Sequence, residues 1–261
     1  MNIDLTGKNA LIGGSSKGIG LAIAKRLASS GANVTLMARN AAALNRVICE
    51  LDQSKGQTHQ SLVVNFSDYE TFSRKIKFFF EKNNIDILVN NTQGPPAGKA
   101  LEKKIHDYQT AFDLLFKCAA FTTSLAIPNM RNQSWGRVIN VSSISVKEPL
   151  NNLVLSNSLR SVLAVWSKSL SIDIAEFNIT INNVLTGFFD TERLKQLNSS
   201  KAQQQGKKLL EINNNIKATI PMKRFGKVEE YANLVCFLAS DLSGYITGVN
   251  IPPDGGVLKS Y

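Results

Sequence analysis

The sequence predicts an α/β fold, with one domain built on a doubly wound parallel sheet of about seven strands and helices on both faces. Strand-like and helix-like segments alternate along the whole chain, as consecutive βαβ units require. The strand-like segments are short and almost entirely apolar, which is typical of strands covered by helices on both faces. With 261 residues and no linker or internal repeat, the chain fits a single domain over 1–261.

The positions of the elements follow from apolar runs and from helical spacing. We expect strands at 9–13, 33–38, 60–65, 85–90, 137–142, 179–184 and 249–251. We expect helices at 18–30, 40–53, 68–82, 105–130, 153–177 and 227–240. Residues 187–217 do not fit the alternation, and their polar, helix-compatible composition predicts an inserted mobile lid over a substrate.

A glycine-rich turn follows the first strand and opens the first helix. Its residues expected to contact a ligand are Gly14, Ser16, Lys17, Gly18, Ile19 and Gly20. Glycine lets the backbone turn tightly and approach a pyrophosphate, and the positive end of the helix attracts the phosphates. An ordinary strand-to-helix turn is the alternative. Because strand, turn and helix occur in the required order, we favour a Rossmann-like dinucleotide site.

The chain is basic, with a formal net charge of +10 at neutral pH. Seven of its cations gather late in the sequence: Lys195, Lys201, Lys207, Lys208, Lys217, Lys223 and Arg224. Such a balance favours anionic partners, among them a phosphorylated cofactor, coenzyme A or an acidic carrier protein. Solvated lysines on exposed helices explain most of these residues equally well. No aromatic-interleaved basic motif supports nucleic-acid binding.

Other features exclude several classes of protein. Cys49, Cys118 and Cys236 lie far apart in apolar helical contexts, which predicts reduced core residues and neither disulfides nor a metal site. His59 and His106 are isolated, and we interpret both as surface or packing residues. No apolar run approaches the ~20 residues of a membrane span. The N-terminus lacks a secretory signal segment, so we expect a cytoplasmic protein without membrane partners.

Several sequence motifs at the predicted strand ends resemble those of the short-chain dehydrogenase/reductase family. They are the glycine turn, LVNN at 88–91, GRVINVSS at 136–143, TGFFDT at 186–191 and the tail from Ile220 to Gly256. The resemblance covers essentially the whole chain, and the tail is most similar to the branch of 3-oxoacyl-acyl-carrier-protein reductases. It implies a nicotinamide dinucleotide cofactor and a small-molecule or thioester substrate.

The choice of cofactor is predicted from the end of the second strand. An NAD enzyme usually places an acid there, but this strand ends in Ala38 and Arg39, and Lys17 adds a second cation. Arg39 can bind a phosphate through its planar guanidinium, so we expect NADP(H). By resemblance, Asn65 with the adjacent Phe66 and Asn90 contact the adenosine side. Thr191 by the same resemblance meets the nicotinamide carboxamide.

The catalytic positions depart from the family pattern of Ser, Tyr, Lys and Asn. Ser143 is present, but thirteen residues further Ser156 stands for Tyr, and four beyond that Arg160 stands for Lys. The family's Asn falls on Leu115, to within about a residue. A serine hydroxyl is a weaker acid than a phenol, and Arg160 cannot usefully relay protons. Ser143 and Arg160 could still stabilise a developing alkoxide, with Ser156 or water closing the proton path.

Three functions remain open on these residues. The first is an NADPH-dependent oxidoreductase that reduces a ketone, such as a 3-oxoacyl thioester. The second is a non-catalytic NADPH-binding sensor or assembly subunit, since the Tyr–Lys pair is missing. The third is lyase or isomerase chemistry in the same pocket, which no residue positively selects. By analogy with the family we expect a homo-oligomer, dimer or tetramer, with Phe116, Phe121 and Trp166 as candidate contacts.

Overall fold

The sheet contains seven parallel strands in a computed structural model that describes residues 3–260. The strands are β1 (Asn9–Gly13), β2 (Asn33–Ala38), β3 (His59–Val63), β4 (Ile87–Asn90), β5 (Gly136–Ser143), β6 (Ile179–Thr186) and β7 (Asn250–Ile251). They lie in the order β3–β2–β1–β4–β5–β6–β7, and every neighbouring pair is parallel. The predicted fold class is confirmed, and each strand begins and ends within two residues of its predicted position.

The helices fall between the strands as predicted. They are α1 (Gly18–Ser29), α2 (Ala41–Glu50), α3 (Tyr69–Phe80), α4 (Ile105–Phe112), α5 (Cys118–Asn132), α6 (Val154–Ile174), α7 (Glu192–Gln205), α8 (Leu209–Thr219) and α9 (Val228–Leu238). Short 3₁₀ turns lie at Ala100–Glu102, Ile144–Val146, Ala175–Phe177 and Asp241–Ser243. One π-helical segment, Asp113–Lys117, joins α4 to α5 within a continuous helical stretch.

Two apolar cores confirm that helices cover both faces of the sheet. On one face, buried residues of α1, α2 and α9 pack against β1, β2 and β4. On the other face, α3, α5 and α6 pack against alternate residues of the same strands. The strands are therefore buried from both sides, which explains why their sequences read as continuous apolar runs.

The strand order changes direction between β1 and β4. The chain winds outward from β1 to β3, then returns to place β4 on the opposite side of β1. The connections that follow β1 and β4 leave in opposite directions and open a crevice at the carboxyl ends of the strands. The residues with predicted binding and catalytic roles follow these strand ends.

The insertion at 187–217 consists of two helices, α7 and α8. Gly206, with φ of +61°, ends α7 in the left-handed conformation that glycine adopts readily. At its base, Asp190 N–H donates to Gly226 O and Gly226 N–H donates to Phe188 O, so both ends of the insertion are joined by backbone hydrogen bonds. Its helical character is as predicted; its movement as a lid stays a prediction.

The cysteine prediction is wrong at one position. Cys118 and Cys236 are buried and free, but Cys49 is exposed on the solvent side of α2. The imidazole of His59 accepts from Val34 N–H and contacts Asp52 O, so it has a packing role, and His106 is largely exposed. Across residues 3–260, no three His, Cys, Asp or Glu side chains are grouped where they could hold a metal ion.

One helical stretch, Ile105–Asn132, is long and apolar enough to cross a membrane by length and composition alone. The sequence analysis did not single it out. Its most apolar window has a mean hydropathy of 1.3, and 44% of that window is buried within the fold. Leu114, Ala126 and Met130 from this stretch belong to the core beside α3 and α6.

Candidate active site

The glycine-rich turn is built so that the backbone itself forms one wall of the crevice. Gly14 and Gly18 have φ values of +55° and +58°, which side-chain-bearing residues adopt only with strain. A Cβ at Gly20 would collide with Gly14 O, and one at Gly13 would collide with Asn91 O. The carboxyl ends of β1 and β4 therefore approach each other more closely than any side chain would allow.

Within residues 3–260, the N-terminus of α1 has no side-chain cap. Lys17 precedes the helix in an extended conformation, its side chain makes no capping hydrogen bond, and the first turn contains no acid. By contrast, Asn40 caps α2 through Ala43 N–H and Asp68 caps α3 through Thr71 N–H. Backbone N–H groups left free at the end of a helix bind phosphate well. The turn and the uncapped helix therefore fit the pyrophosphate of a dinucleotide.

The two cations predicted to select a phosphorylated cofactor are both available. Arg39 directly follows β2 and Lys17 lies in the glycine turn, and both side chains are exposed. Neither side chain pairs with a carboxylate of residues 3–260. Ser15, which the sequence analysis passed over in favour of Ser16, is buried and accepts from Met37 N–H, so it joins the turn to β2.

Two of the residues predicted to contact the adenosine side, Asn65 and Asn90, form side-chain hydrogen bonds within the protein. Asn65 Oδ1 accepts from Ser67 N–H at 3.2 Å, and Phe66 lines the crevice. Asn90 donates from Nδ2 to Thr123 Oγ1 and to Asn140 Oδ1, at 3.0 and 2.8 Å. Asn90 therefore acts inside the fold, whatever else it contacts.

Asn90 is the first of four asparagines that lie side by side across the sheet. Asn90 pairs in register with Asn140, Asn140 with Asn183 and Asn183 with Asn250. Their side-chain amides hydrogen-bond from strand to strand at 2.8 to 3.0 Å. Because buried amides that are fully paired fix register, this row holds β4 to β7 in register with one another.

Thr191 begins α7 and lies beside the glycine turn. Its Oγ1 accepts from Leu194 N–H and caps the helix, while its Cγ2 lies 3.8 Å from where a Cβ on Gly18 would be. The base of the insertion is thus brought against the turn that fits the pyrophosphate. Its contact with the nicotinamide stays a prediction.

A cavity lies at the switch point, where β1, β4 and β5 end. It is lined by Gly13, Met37, Phe66, Asn90, Asn91, Thr92, Leu115, Cys118, Ala119, Thr122, Val141, Arg160 and Leu163. Asn91 donates from Nδ2 to Gly13 O and closes the floor between β1 and β4. Burial raises the pKa of the Cys118 thiol to about 12, so this residue is a neutral wall and not a nucleophile.

The structure brings Ser156 and Arg160 together and joins them to the strand that carries Ser143. Arg160 Nε donates to Ser156 Oγ at 3.2 Å, and Arg160 Nη1 donates to Val141 O at 2.7 Å. Ser143 stands two residues after Val141 at the end of β5, where its Oγ accepts from Ser145 N–H at 3.1 Å. Burial lowers the pKa of the Arg160 guanidinium, Tyr231 opposes that shift and Arg193 adds to it.

Leu115 lies in the π-helical segment and reaches the cavity wall. Its side chain is buried, and it lines the same cavity as Arg160. A π-bulge inside a helix often marks a functional site, because it turns one side chain out of helical register. Here the residue so presented is apolar, so this wall supplies no hydrogen bond.

Tyr231 is the tyrosine that lies near Arg160, and the sequence analysis did not assign it a role. Its hydroxyl donates to Val184 O at 2.9 Å and accepts from Thr186 Oγ1 at 3.2 Å. The residue is fully buried, and burial raises the pKa of its phenol well above the usual range. Tyr231 therefore does not replace the missing phenol, because its proton is held against a backbone carbonyl beneath the site.

The sequence analysis also missed Arg193, on the first turn of α7. Its Nη2 donates to Pro95 O at 3.2 Å and lies 3.6 Å from where a Cβ on Gly94 would be. One sequence signal could have drawn attention to it. Arg193 has no acid three or four residues later. The acid three residues before Arg193 is Asp190, and this carboxylate pairs with Lys195.

The comparisons with known proteins agree with this geometry. The sequence profile of a family described as enoyl-(acyl carrier protein) reductase matches residues 14–258. The chain is 31% identical over 258 residues to the 3-oxoacyl-[acyl-carrier-protein] reductase FabG of Aquifex aeolicus, covering 98% of this chain and all of that one. The chain therefore belongs to the short-chain dehydrogenase/reductase family, and by family it is an NAD(P)-dependent reductase.

Solved structures give the same result. The chain superposes on YwfH, an NADPH-dependent reductase involved in bacilysin biosynthesis, with a TM-score of 0.91 at 30% identity over 97% of this chain and 99% of that one. It superposes on the L-sorbose reductase of Gluconobacter frateurii, solved with NADPH and L-sorbose, with a TM-score of 0.92 at 28% identity over the full length of both. The chain is therefore similar to both of these reductases in structure and in sequence.

Proposed function

We propose that the protein is an NADPH-dependent reductase of ketones, with Ser143, Ser156 and Arg160 as its catalytic residues. The observation that carries this proposal is the hydrogen-bonded group Ser156–Arg160–Val141, which stands next to Ser143 and lines the same cavity as Gly13 of the glycine-rich turn. The 3-oxoacyl thioesters, with coenzyme A or an acidic carrier protein, are one class of substrate among those to be tested.

NADPH is favoured because the exposed cations Lys17 and Arg39 flank the turn where an adenosine 2′-phosphate would lie. A guanidinium binds phosphate through two parallel hydrogen bonds, and an ammonium adds a point charge. When bound, the reduced nicotinamide supplies the hydride. The protein must then hold the substrate carbonyl and stabilise the negative charge that develops on its oxygen.

The two serines are suited to holding that oxygen. Ser143 Oγ accepts from a backbone N–H and Ser156 Oγ accepts from Arg160. Within residues 3–260, neither hydroxyl donates to a protein acceptor, so both O–H groups are free to donate to a carbonyl oxygen. Ser156 would give its proton to the carbonyl oxygen as that oxygen gains negative charge, and water would then return a proton to the Ser156 alkoxide.

Arg160 stabilises the negative charge without itself releasing a proton. The guanidinium has five N–H donors, and within residues 3–260 only Nε and Nη1 find partners, at Ser156 Oγ and Val141 O. A fixed positive charge in a partly buried site stabilises an alkoxide more strongly than the same charge in water. Because the acid is a serine and not a phenol, we expect slow turnover, lower by roughly 10²–10⁴.

A panel assay tests the proposal. Purified protein with NADPH is offered acetoacetyl thioesters, simple ketones and quinones, and loss of reduced nicotinamide is followed by absorbance. We expect turnover that disappears in Ser143→Ala, while NADPH binding, measured by fluorescence titration, is retained. Binding without turnover on every substrate would instead support a non-catalytic NADPH sensor, which the apolar Leu115 in the catalytic wall favours.

The double replacement Ser156→Tyr with Arg160→Lys tests the roles of these two residues. A phenol beside an ammonium titrates within about pH 6 to 10, and reduction needs its protonated form, so turnover should fall as the pH rises through its pKa. The parent has no catalytic group that titrates in this range and should show a flat profile. A parent profile with the same falling limb would contradict the assignment of Ser156 and Arg160.

We also propose that the chain forms a homo-oligomer through α6. Val162, Val165 and Ile172 are exposed on one side of this helix and form an apolar stripe. Phe116 and Trp166 stack edge to face at 5.7 Å and border it. Light scattering tests this proposal, and a monomer at assay concentration would contradict it. A cytoplasmic location likewise stays a prediction.

A further inference from the structure

Two arginines lie near each other at the cavity. Arg160 lines it from α6, and Arg193 on α7 donates to Pro95 O and is close enough that its charge helps to lower the pKa of the Arg160 guanidinium. Among residues 3–260, neither guanidinium forms an ion pair, although seven other lysine and arginine side chains do. Holding a half-buried cation near a second cation is unfavourable unless an anion joins them.

The loop formed by residues 92–98 contacts Arg193, the start of α6 and the cavity. At its far end, Gly98 N–H donates to Asn152 O and Val154 N–H donates to Gly98 O, which joins the loop to the first turn of α6. In its middle, Pro95 O accepts from Arg193. At its near end, Thr92 lines the cavity together with Arg160. The loop therefore links Arg193 to α6, the helix that carries Ser156 and Arg160.

The phosphates of the cofactor already have other partners. The pyrophosphate fits the glycine turn and the uncapped end of α1, and the 2′-phosphate fits Lys17 and Arg39. Arg193 donates from Nη2 to Pro95 O and lies beside Gly94. Its free donors, and the free Nη2 of Arg160, are therefore left for an anion that the cofactor does not bring.

We propose that the substrate is an anionic ketone, whose carboxylate or phosphate group binds between Arg193 and Arg160 while its carbonyl oxygen binds Ser143 and Ser156. This inference rests on the proposed function and narrows its substrate class. A guanidinium binds either a carboxylate or a phosphate through two parallel hydrogen bonds. The structure therefore assigns a negative charge to the substrate, and the binding test decides between carboxylate and phosphate. The thioester group beside the ketone of a 3-oxoacyl thioester carries no charge, so it would form no ion pair with Arg193.

The test compares matched ligands in binding to the protein saturated with NADPH, measured by titration calorimetry. Laevulinate is paired with its methyl ester, and dihydroxyacetone phosphate with dihydroxyacetone. Each pair keeps the ketone and changes the charge. We expect one anion of the two pairs to bind at least tenfold more tightly than its neutral counterpart. The pair that shows the difference identifies the anion as carboxylate or phosphate.

Arg193→Gln should remove that preference, and Arg193→Lys should retain part of it. Arg46→Gln is the matched control, because Arg46 is exposed on α2 and its loss changes the net charge equally. The preference should survive in the control. Turnover of the preferred ligand, where measured, should show the same ratio in kcat/KM.

Three outcomes would overturn one proposal or the other. Equal binding of charged and neutral ligands would refute the anionic substrate and leave the reductase intact. Weaker NADPH binding in Arg193→Gln, by tenfold or more, would assign Arg193 to the cofactor and refute it as well. Failure of the parent to bind NADPH at all would refute the proposed function itself.

Discussion

The two halves of the sheet use different means to build a site. In the half from β1 to β4 with α1 to α3, backbone groups and close glycine contacts form the crevice, and the residues expected for a dinucleotide are present. In the half from β5 to β7 with α5 to α9, side chains form the site, and two of them differ from the family pattern. Backbone sites tolerate little change, because a single Cβ closes them. Side-chain sites can exchange their chemistry while the fold stays the same.

The largest effect should come from Gly14→Ala in the first half. The new Cβ would lie 2.8 Å from Asn91 Nδ2, and the alanine would also have to adopt the φ of +55° that Gly14 has. We expect NADPH affinity to fall by roughly 100-fold or more, because the pyrophosphate can no longer approach the turn. Fluorescence titration measures this change.

Gly206→Ala is the matched control for that variant. Gly206 has a φ of +61°, but a Cβ there meets no atom within 4 Å. It should cost about 1–2 kcal/mol of unfolding free energy through backbone strain alone and leave NADPH binding unchanged. Equal loss of NADPH affinity in both variants would show that strain, and not contact at the turn, sets the effect.

The contrast between the halves also decides how much the sequence could predict. Strand positions followed from apolar runs, and the glycine turn from local order, because neighbouring residues alone determine both. Arg193 could not be found in this way, because its place beside Pro95 depends on how α7 folds back over a loop about a hundred residues earlier. The π-helical turn that presents Leu115 likewise has no local signal, because it adds one residue to an otherwise regular helix.

One error of the sequence analysis has a similar cause, and so does one contact within the fold that it did not predict. Cys49 follows Ile48 and Val47 in an apolar run, but the rotation of α2 turns only Leu44 and Val47 fully into the core. Asn90 was predicted to steady a ligand, and its amide is shared with Thr123 and Asn140 in a row that crosses four strands. Both outcomes depend on packing across elements, which the spacing of residues within one element does not show.

The second-largest effect should come from Arg160→Met in the other half. This change removes the charge beside Ser156 and leaves Val141 O without its donor. We expect kcat to fall by roughly 100-fold, the lower end of the loss seen when one group that stabilises an oxyanion is removed. NADPH affinity should change far less than in Gly14→Ala. Arg74→Met, on the exposed side of α3, should leave kcat unchanged, and a kcat of Arg160→Met within twofold of the parent would contradict the proposed role.

A smaller effect should follow Arg39→Asp, which acts on cofactor choice alone. The carboxylate repels a 2′-phosphate and can accept from both ribose hydroxyls, so the ratio of NADPH to NADH affinity should fall by roughly 10- to 100-fold. Arg46→Asp makes the same change of charge on α2, away from the turn, and should leave the ratio within twofold. If both variants shift the ratio equally, overall charge and not a contact of Arg39 selects the cofactor.

The smallest effect should come from Glu230→Gln, at the foot of the insertion in the second half. Hydrogen bonds from Arg224 lower the pKa of Glu230 to about 2, helped by Lys227 N–H. Because the pKa in the folded state lies below the usual ~4.3, the pair stabilises the fold above about pH 4 and loses this contribution as the pH falls toward 2. The pair is exposed, so the variant should lose less than ~1 kcal/mol of unfolding free energy at neutral pH. Glu229→Gln is the matched control on the same turn. A loss in Glu230→Gln that persists unchanged at about pH 2, or an equal loss in Glu229→Gln at neutral pH, would show that the ion pair with Arg224 is not its source.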